Sequence, residues 1–162
     1  MLNEPDSNGC TPLWAAVWNG GLDIIRWWIA SGREMDLGTP GDGETDAIGL
    51  AKKMKGKTEV VTLLERFKSD AAQTRYVMRV ELGFLDELAG SIFALEVFVS
   101  DGLLQIKDTT SPSPAARFFK IVSQLPLDLQ MVLCYRVVGS AKDIVKGKDS
   151  EVAFKELARR LW

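Results

Sequence analysis

Residues 9–32 read GCTPLWAAVWNGGLDIIRWWIASG. Thr11 stands before Pro12, so a hydroxyl can accept the hydrogen bond of an unpaired amide at a helix start. The proline then fills a first-turn position where no N–H is needed. A short helix is predicted from there to the Asn19-Gly20-Gly21 turn. Beyond the turn, Ile24, Ile25, Trp28 and Ile29 fall at i, i+1, i+4 and i+5, one apolar stripe of a second helix. Gly32 can end that helix in a left-handed conformation. Ala15 and Ala16 are small enough to let a neighbouring helix approach closely. The stretch therefore predicts two short helices joined by a tight turn, with Trp28 packed in the core on the second.

The pattern returns downstream. From Gly43, 34 residues after Gly9, the chain reads GETDAIGLAKKMKGKTEVVTLLERF, with Thr45, Ala51, Gly56, Val60, Val61, Leu63 and Leu64 in corresponding places. This resembles the ankyrin repeat, whose pattern is a turn Gly, then T-P-L-H, small residues, Gly, an I-V pair, two apolar residues and Gly. The match in the first copy falls on Gly9, Thr11, Pro12, Leu13, Ala16, Gly20, Ile24, Ile25, Trp28, Ile29 and Gly32. Trp14 stands where the family has His, Asp46 stands where Pro is expected, and Ile24 to Val60 spans 36 residues instead of about 33. The resemblance covers residues 1–69, with repeats at about 5–36 and 40–69. It implies a helix-turn-helix solenoid and a role in protein–protein recognition through hairpin tips and inner helices. The positions this puts on the binding face are Ser7, Asn8, Cys10, Trp18, Asn19, Asp42, Glu44, Lys52 and Lys53. Trp18 is the expected apolar anchor, with the polar residues setting orientation.

About three repeats are normally needed to bury a continuous core. Either residues 70–162 cap the stack as a helical bundle, giving an all-α chain of two ankyrin repeats and a C-terminal helical region, or the chain is the end of a longer array; the first is the expected arrangement. Leu85, Leu88, Ala89, Ile92, Phe93 and Leu95 to Val99 form a helix apolar on nearly all sides, hence central. DTTSPSP, residues 108–114, reads as a loop in which Ser113-Pro114 caps and starts the next helix. Pro126 separates helices at 115–125 and 127–138, because it cannot continue the first. A last helix over 150–161 carries Val152, Leu157 and Leu161 on one side, Ala153 and Phe154 beside them, and Asp149 as its cap. No segment alternates with period two. Residues 71–162 look like the helical tail that follows ankyrin repeats in some fungal proteins. Within it, LPLDLQMVLC at 125–134 resembles the start of an F-box helix, which implies an alternative role as a ubiquitin-ligase-type adaptor using residues 125–135.

Composition narrows the chemistry. The 162 residues contain 20 Lys+Arg, 22 Asp+Glu and no His. A net charge of −2 argues against a nucleic-acid partner. Without imidazole, a Ser-His-Asp triad and a Cys-His dyad are ruled out. Two cysteines, Cys10 and Cys134, are too few for structural zinc, so no metal and no cofactor is expected. Asp86, Glu87 and Glu81 read as solvent-facing charge, which leaves an enzyme with a carboxylate site in the helical region as the least favoured alternative. Lys52, Lys53, Lys55 and Lys57 lack interleaved aromatics and read as a solvated helix face. GTPGDGE ends without Lys-Ser/Thr, so it reads as a hairpin tip and not a phosphate loop. MLNEPDSNGC has no signal-peptide character, and Leu88 to Ile106 is interrupted by Glu96, Asp101 and Gly102, so no membrane partner is expected. Reduced thiols then place the protein inside the cell, in cytoplasm or nucleus.

Overall fold

The computed structural model describes residues 3–7, 10–38, 46–107 and 111–161. Among these the chain is all-helical, with nine helices and no strand. They are α1 Pro12–Trp18, α2 Leu22–Ser31, α3 Ala47–Lys53, α4 Thr58–Ser69, α5 Ala71–Glu81, α6 Phe84–Ser100, α7 Pro114–Val122, α8 Leu127–Val137 and α9 Gly147–Leu161. No helix of the described residues is long and apolar enough to cross a membrane. The chain divides into two compact units, Met1–Leu82 and Gly83–Trp162.

In the first unit, α1 packs on α2 and α3, α2 on α4 and α5, and α4 on α3 and α5. The helix starts are those the local chemistry predicts. Thr11 Oγ1 accepts from the Trp14 N–H at 3.3 Å. The same hydroxyl donates to the Asp36 carbonyl at 3.4 Å, tying the α1 start to the chain that leads to α3. In the second helical pair the cap is Asp46, which accepts from Gly49 N at 2.8 Å. The residue standing in the expected proline position thus does the work of a capping threonine. Gly32 ends α2 with φ of 76°, the left-handed conformation that favours glycine.

Two expectations for these helices change. The α2 stripe is narrower than its spacing implied. Ile25 and Ile29 are buried, but Ile24 is 60% exposed, because its neighbour Ile25 already occupies the inward face. Trp28 is half-buried, and its ring N–H donates to the Glu34 carbonyl at 3.3 Å. In addition α5, read from sequence as part of the C-terminal region, belongs to the first compact unit. Its Arg79 Nε donates to the Ala30 carbonyl at 2.7 Å, so a cation from α5 meets the negative end of α2. Arg79→Ala is expected to destabilise the chain by about 2 kcal/mol, since it strands a carbonyl that a charged donor now satisfies. The urea midpoint reads this directly; an unchanged midpoint would show that α5 needs no such fastening.

The second unit is built around α6, which packs on α7, α8 and α9. Its core joins Ala89 and Phe93 of α6 to Cys134 and Tyr135 of α8 and to Val145. Phe154 of α9 closes the core, edge-on to Phe93 at 6.3 Å and tilted against Phe98 at 6.0 Å. Ser113 caps α7 by accepting from Ala116 N, and Pro126 precedes α8. The last helix differs from its reading. It begins at Gly147, so Asp149 lies in its first turn and does not cap it. Val152, 72% exposed, and Leu161, 39% exposed, face away from the core. The inward face centres on Ser150 and Phe154, with Ala153 and Leu157 half-buried beside α6, because a small residue at 150 lets α9 lie close to Gly90 of α6.

Candidate functional site

The α1–α2 turn gathers the most distinctive surface of the first unit. Trp18 closes α1 and is 55% exposed. Trp14, one helical turn earlier, lies under it with ring centroids 5.5 Å apart and planes 8° from parallel. The stack holds Trp18 in one orientation, so a partner would lose little side-chain freedom on binding it. Asn19 caps the helix and donates from Nδ2 to the Ala15 carbonyl at 2.9 Å. Behind the turn comes a cation: Lys57 Nζ lies 2.7 Å from where a Cβ on Gly20 would stand.

Lys52 and Lys53 form the last turn of α3, the helix that packs on α1, and both are exposed. Lys52 pairs with Glu65 at 2.7 Å, and this hydrogen bond, followed by the Glu65 charge, holds its ammonium above the usual pKa. Lys53 and Lys57 make no ion pair among the described residues. The ends of α1 and α3 thus present a flat aromatic stack with ammonium groups at the same end of the helix pair.

The remaining expected residues are distributed otherwise. Cys10 is half-buried before the start of α1, its N–H donating to Asp6 Oδ1 at 2.9 Å, and Ser7 is exposed in the same turn. The whole of α1 stands between these two residues and Trp18, about 10 Å at helical rise. They lie at the opposite end of α1 from Trp18. Asn8, Asp42 and Glu44 lie outside the described residues. Sequence reading passed over Trp14 and Lys57 as contributors. The i, i+4 spacing of the two tryptophans was the available signal for the first. Lys57 carries none, since only the packing brings it to Gly20.

A cleft of about 230 Å³ opens elsewhere in this unit, between α2, α4 and α5. Arg26, Arg66, Glu59 and Glu81 line it with charges of both signs, over Leu63 and Met78. Asp86, grouped from sequence with Glu81 and Glu87, is held in the second unit by Lys142 Nζ at 2.7 and 2.6 Å. Among the described residues no three His, Cys, Asp or Glu side chains converge to hold a metal ion.

One carboxyl departs strongly from its usual behaviour. Glu96 is fully buried in α6, and burial, opposed by the Ser100 hydroxyl, pushes its pKa up to about 7. It lines neither the charged cleft of the first unit nor the shallow one bounded by Ser91, Leu95 and Leu157. Along residues 125–135, Leu127 is 56% and Leu129 46% exposed, Leu125 and Val132 are half-buried, and Cys134 and Tyr135 are enclosed. No protein-family model, curated protein or solved structure matches the chain.

Proposed function

We propose that the chain is a non-catalytic protein-recognition module: two ankyrin-type repeats, at about 5–36 and 40–69, followed by a helical region that caps them. The observation that carries this reading is the pre-stacked, half-exposed Trp18 at the end of α1, with the Lys57 ammonium beside the following turn at Gly20. The partner is a protein segment that seats an apolar side chain on the indole face and carries carboxylates for Lys53 and Lys57. Lys52 contributes less, because Glu65 already engages it. Ser7 and Cys10 take part only if the segment runs the length of α1. The buried position of Glu96 supports the non-catalytic part, since a carboxyl without solvent access meets no substrate. The thiols of Cys10 and Cys134 support a reducing, intracellular setting, cytoplasmic or nuclear.

The test is affinity capture of a partner from the native cell, followed by binding measurements with Trp18→Ala. A genuine aromatic anchor is worth about 2 kcal/mol or more, so Kd should rise roughly 30-fold. Folding stability should change by about 1 kcal/mol at most, the worth of the exposed ring stack. The exposure of Leu127 and Leu129 favours a second reading, the ligase-type adaptor with residues 125–135 as its contact. Full affinity in Trp18→Ala combined with loss in Leu127→Ala/Leu129→Ala would replace the first reading with the second.

A further inference from the structure

The interior of the second unit holds a short chain of polar groups whose donors and acceptors do not balance. Gln130 of α8, 4% exposed, donates from Nε2 to the Leu125 carbonyl at 2.9 Å and to Ser100 Oγ at 3.3 Å. Ser100 in turn donates to Glu96 Oε1 at 3.4 Å. Two acceptors remain without a donor, Glu96 Oε2 and Gln130 Oε1. Rotating the Gln130 amide by half a turn does not help, because the Leu125 carbonyl would then face an oxygen. Buried polar groups of this kind are nearly always satisfied, and each unsatisfied one costs about 1–3 kcal/mol. One proton lessens the imbalance. Placed on Glu96 Oε2, it turns one of the two orphan acceptors into a donor, and it removes a buried charge.

We infer that Glu96 is a proton-operated latch between α6 and the α7–α8 corner of the second unit: protonated it holds the corner, and ionised it releases it. The Leu125 carbonyl belongs to that corner, and the Gln130 amide pins it. An ionised Glu96 draws on the Ser100 hydroxyl, and through Ser100 on the Gln130 amide that pins the corner. Ser100 is exposed, so it gives the proton a route to solvent. No charged side chain of α7, α8 or α9 acts on Glu96: burial and Ser100 are the influences on it. Cys134 of α8 is its titratable neighbour, and that thiol is itself pushed up to about 12 by burial and by the Glu96 charge, so it stays neutral throughout. Asp86 and Asp149 act on Tyr135 instead.

The native state binds the Glu96 proton more tightly than the unfolded chain does. Its contribution is therefore complete below the ordinary value of 4.5 and is lost as pH rises through about 7. The corner released is the one carrying the exposed Leu127 and Leu129, so alkalinity would loosen an apolar surface and acidity would set it.

The experiment is urea unfolding of the full chain between pH 5 and 8, wild type against Glu96→Gln, which keeps the shape and removes the titration. The folding constant of wild type should fall roughly 100-fold relative to the variant across that window. Amide exchange in α8, corrected for the intrinsic effect of pH, should accelerate above pH 7 in wild type alone. Carboxyl NMR titration of Glu96 in the wild-type chain keeps the test independent of how the variant folds, and its midpoint is expected near neutrality. Parallel pH profiles in the two proteins, an α8 exchange rate indifferent to pH, or a Glu96 midpoint in the ordinary carboxylate range would each overturn the latch.

Discussion

Gly90→Ala is expected to destabilise the second unit by about 3 kcal/mol or more, although the same change in an exposed helix would stabilise it by up to about 1 kcal/mol. Gly90 lies inside α6, and a Cβ placed there would stand 2.2 Å from the Asp149 carbonyl oxygen, 2.5 Å from its carbon and 2.9 Å from Ser150 N. These are backbone atoms of the first turn of α9, with no flexible side chain to move aside. The methyl group therefore forces the two helices apart along their shared face, where Phe154 reaches Phe93 and Phe98. The clash outweighs the gain in helix propensity. Gly147→Ala is the control: a Cβ there meets nothing within 4 Å, and its effect should be neutral or slightly stabilising. Circular-dichroism melts of both variants decide the matter, and a Gly90→Ala melt at or above the wild-type temperature would contradict the packing of α9 on α6.

Leu64→Ala is expected to cost the first unit about 3 kcal/mol, within the range of about 2–5 kcal/mol for leucines that leave a cavity in a close-packed core. Leu64 is fully enclosed on α4, the helix that packs against α2, α3 and α5, so the vacated space is bordered by rigid helices and cannot close by a surface loop's collapse. Amide exchange should accelerate in α2 to α5 while α6 and α9 keep their protection, because each compact unit has its own core. A loss under 1 kcal/mol would mean that α4 is less tightly packed than its burial indicates.

How much of this was legible beforehand differs between the helices and the surface. The pairs α1–α2 and α3–α4 could be read because their caps, turns and apolar stripes lie within a few residues of one another. Ile24 shows where the stripe argument stops: periodicity assigned it to the buried side, but two adjacent isoleucines cannot both point to the centre of a narrow contact. Asp149 and Val152 show the same for α9. An earlier start at Gly147 places Asp149 in the first turn, and the close approach to Gly90, not the size of the apolar side chains, determines which face turns inward. On the candidate binding face, Trp18, Lys52 and Lys53 are expectations drawn from the ankyrin resemblance. The stacked support of Trp14 and the arrival of Lys57 at Gly20 depend on contacts that no local pattern carries.

Helix starts at Thr11-Pro12 and Ser113-Pro114, the stop at Gly32 and the break before Leu127 are written in the chain, because each is settled by a hydrogen bond or a backbone angle within one turn. The allegiance of α5 to the first unit, the enclosure of Glu96 beside Gln130 and the meeting of Gly90 with α9 became visible only when the helices were packed. Each depends on which faces of distant segments exclude water together, and that is a property of the assembled core.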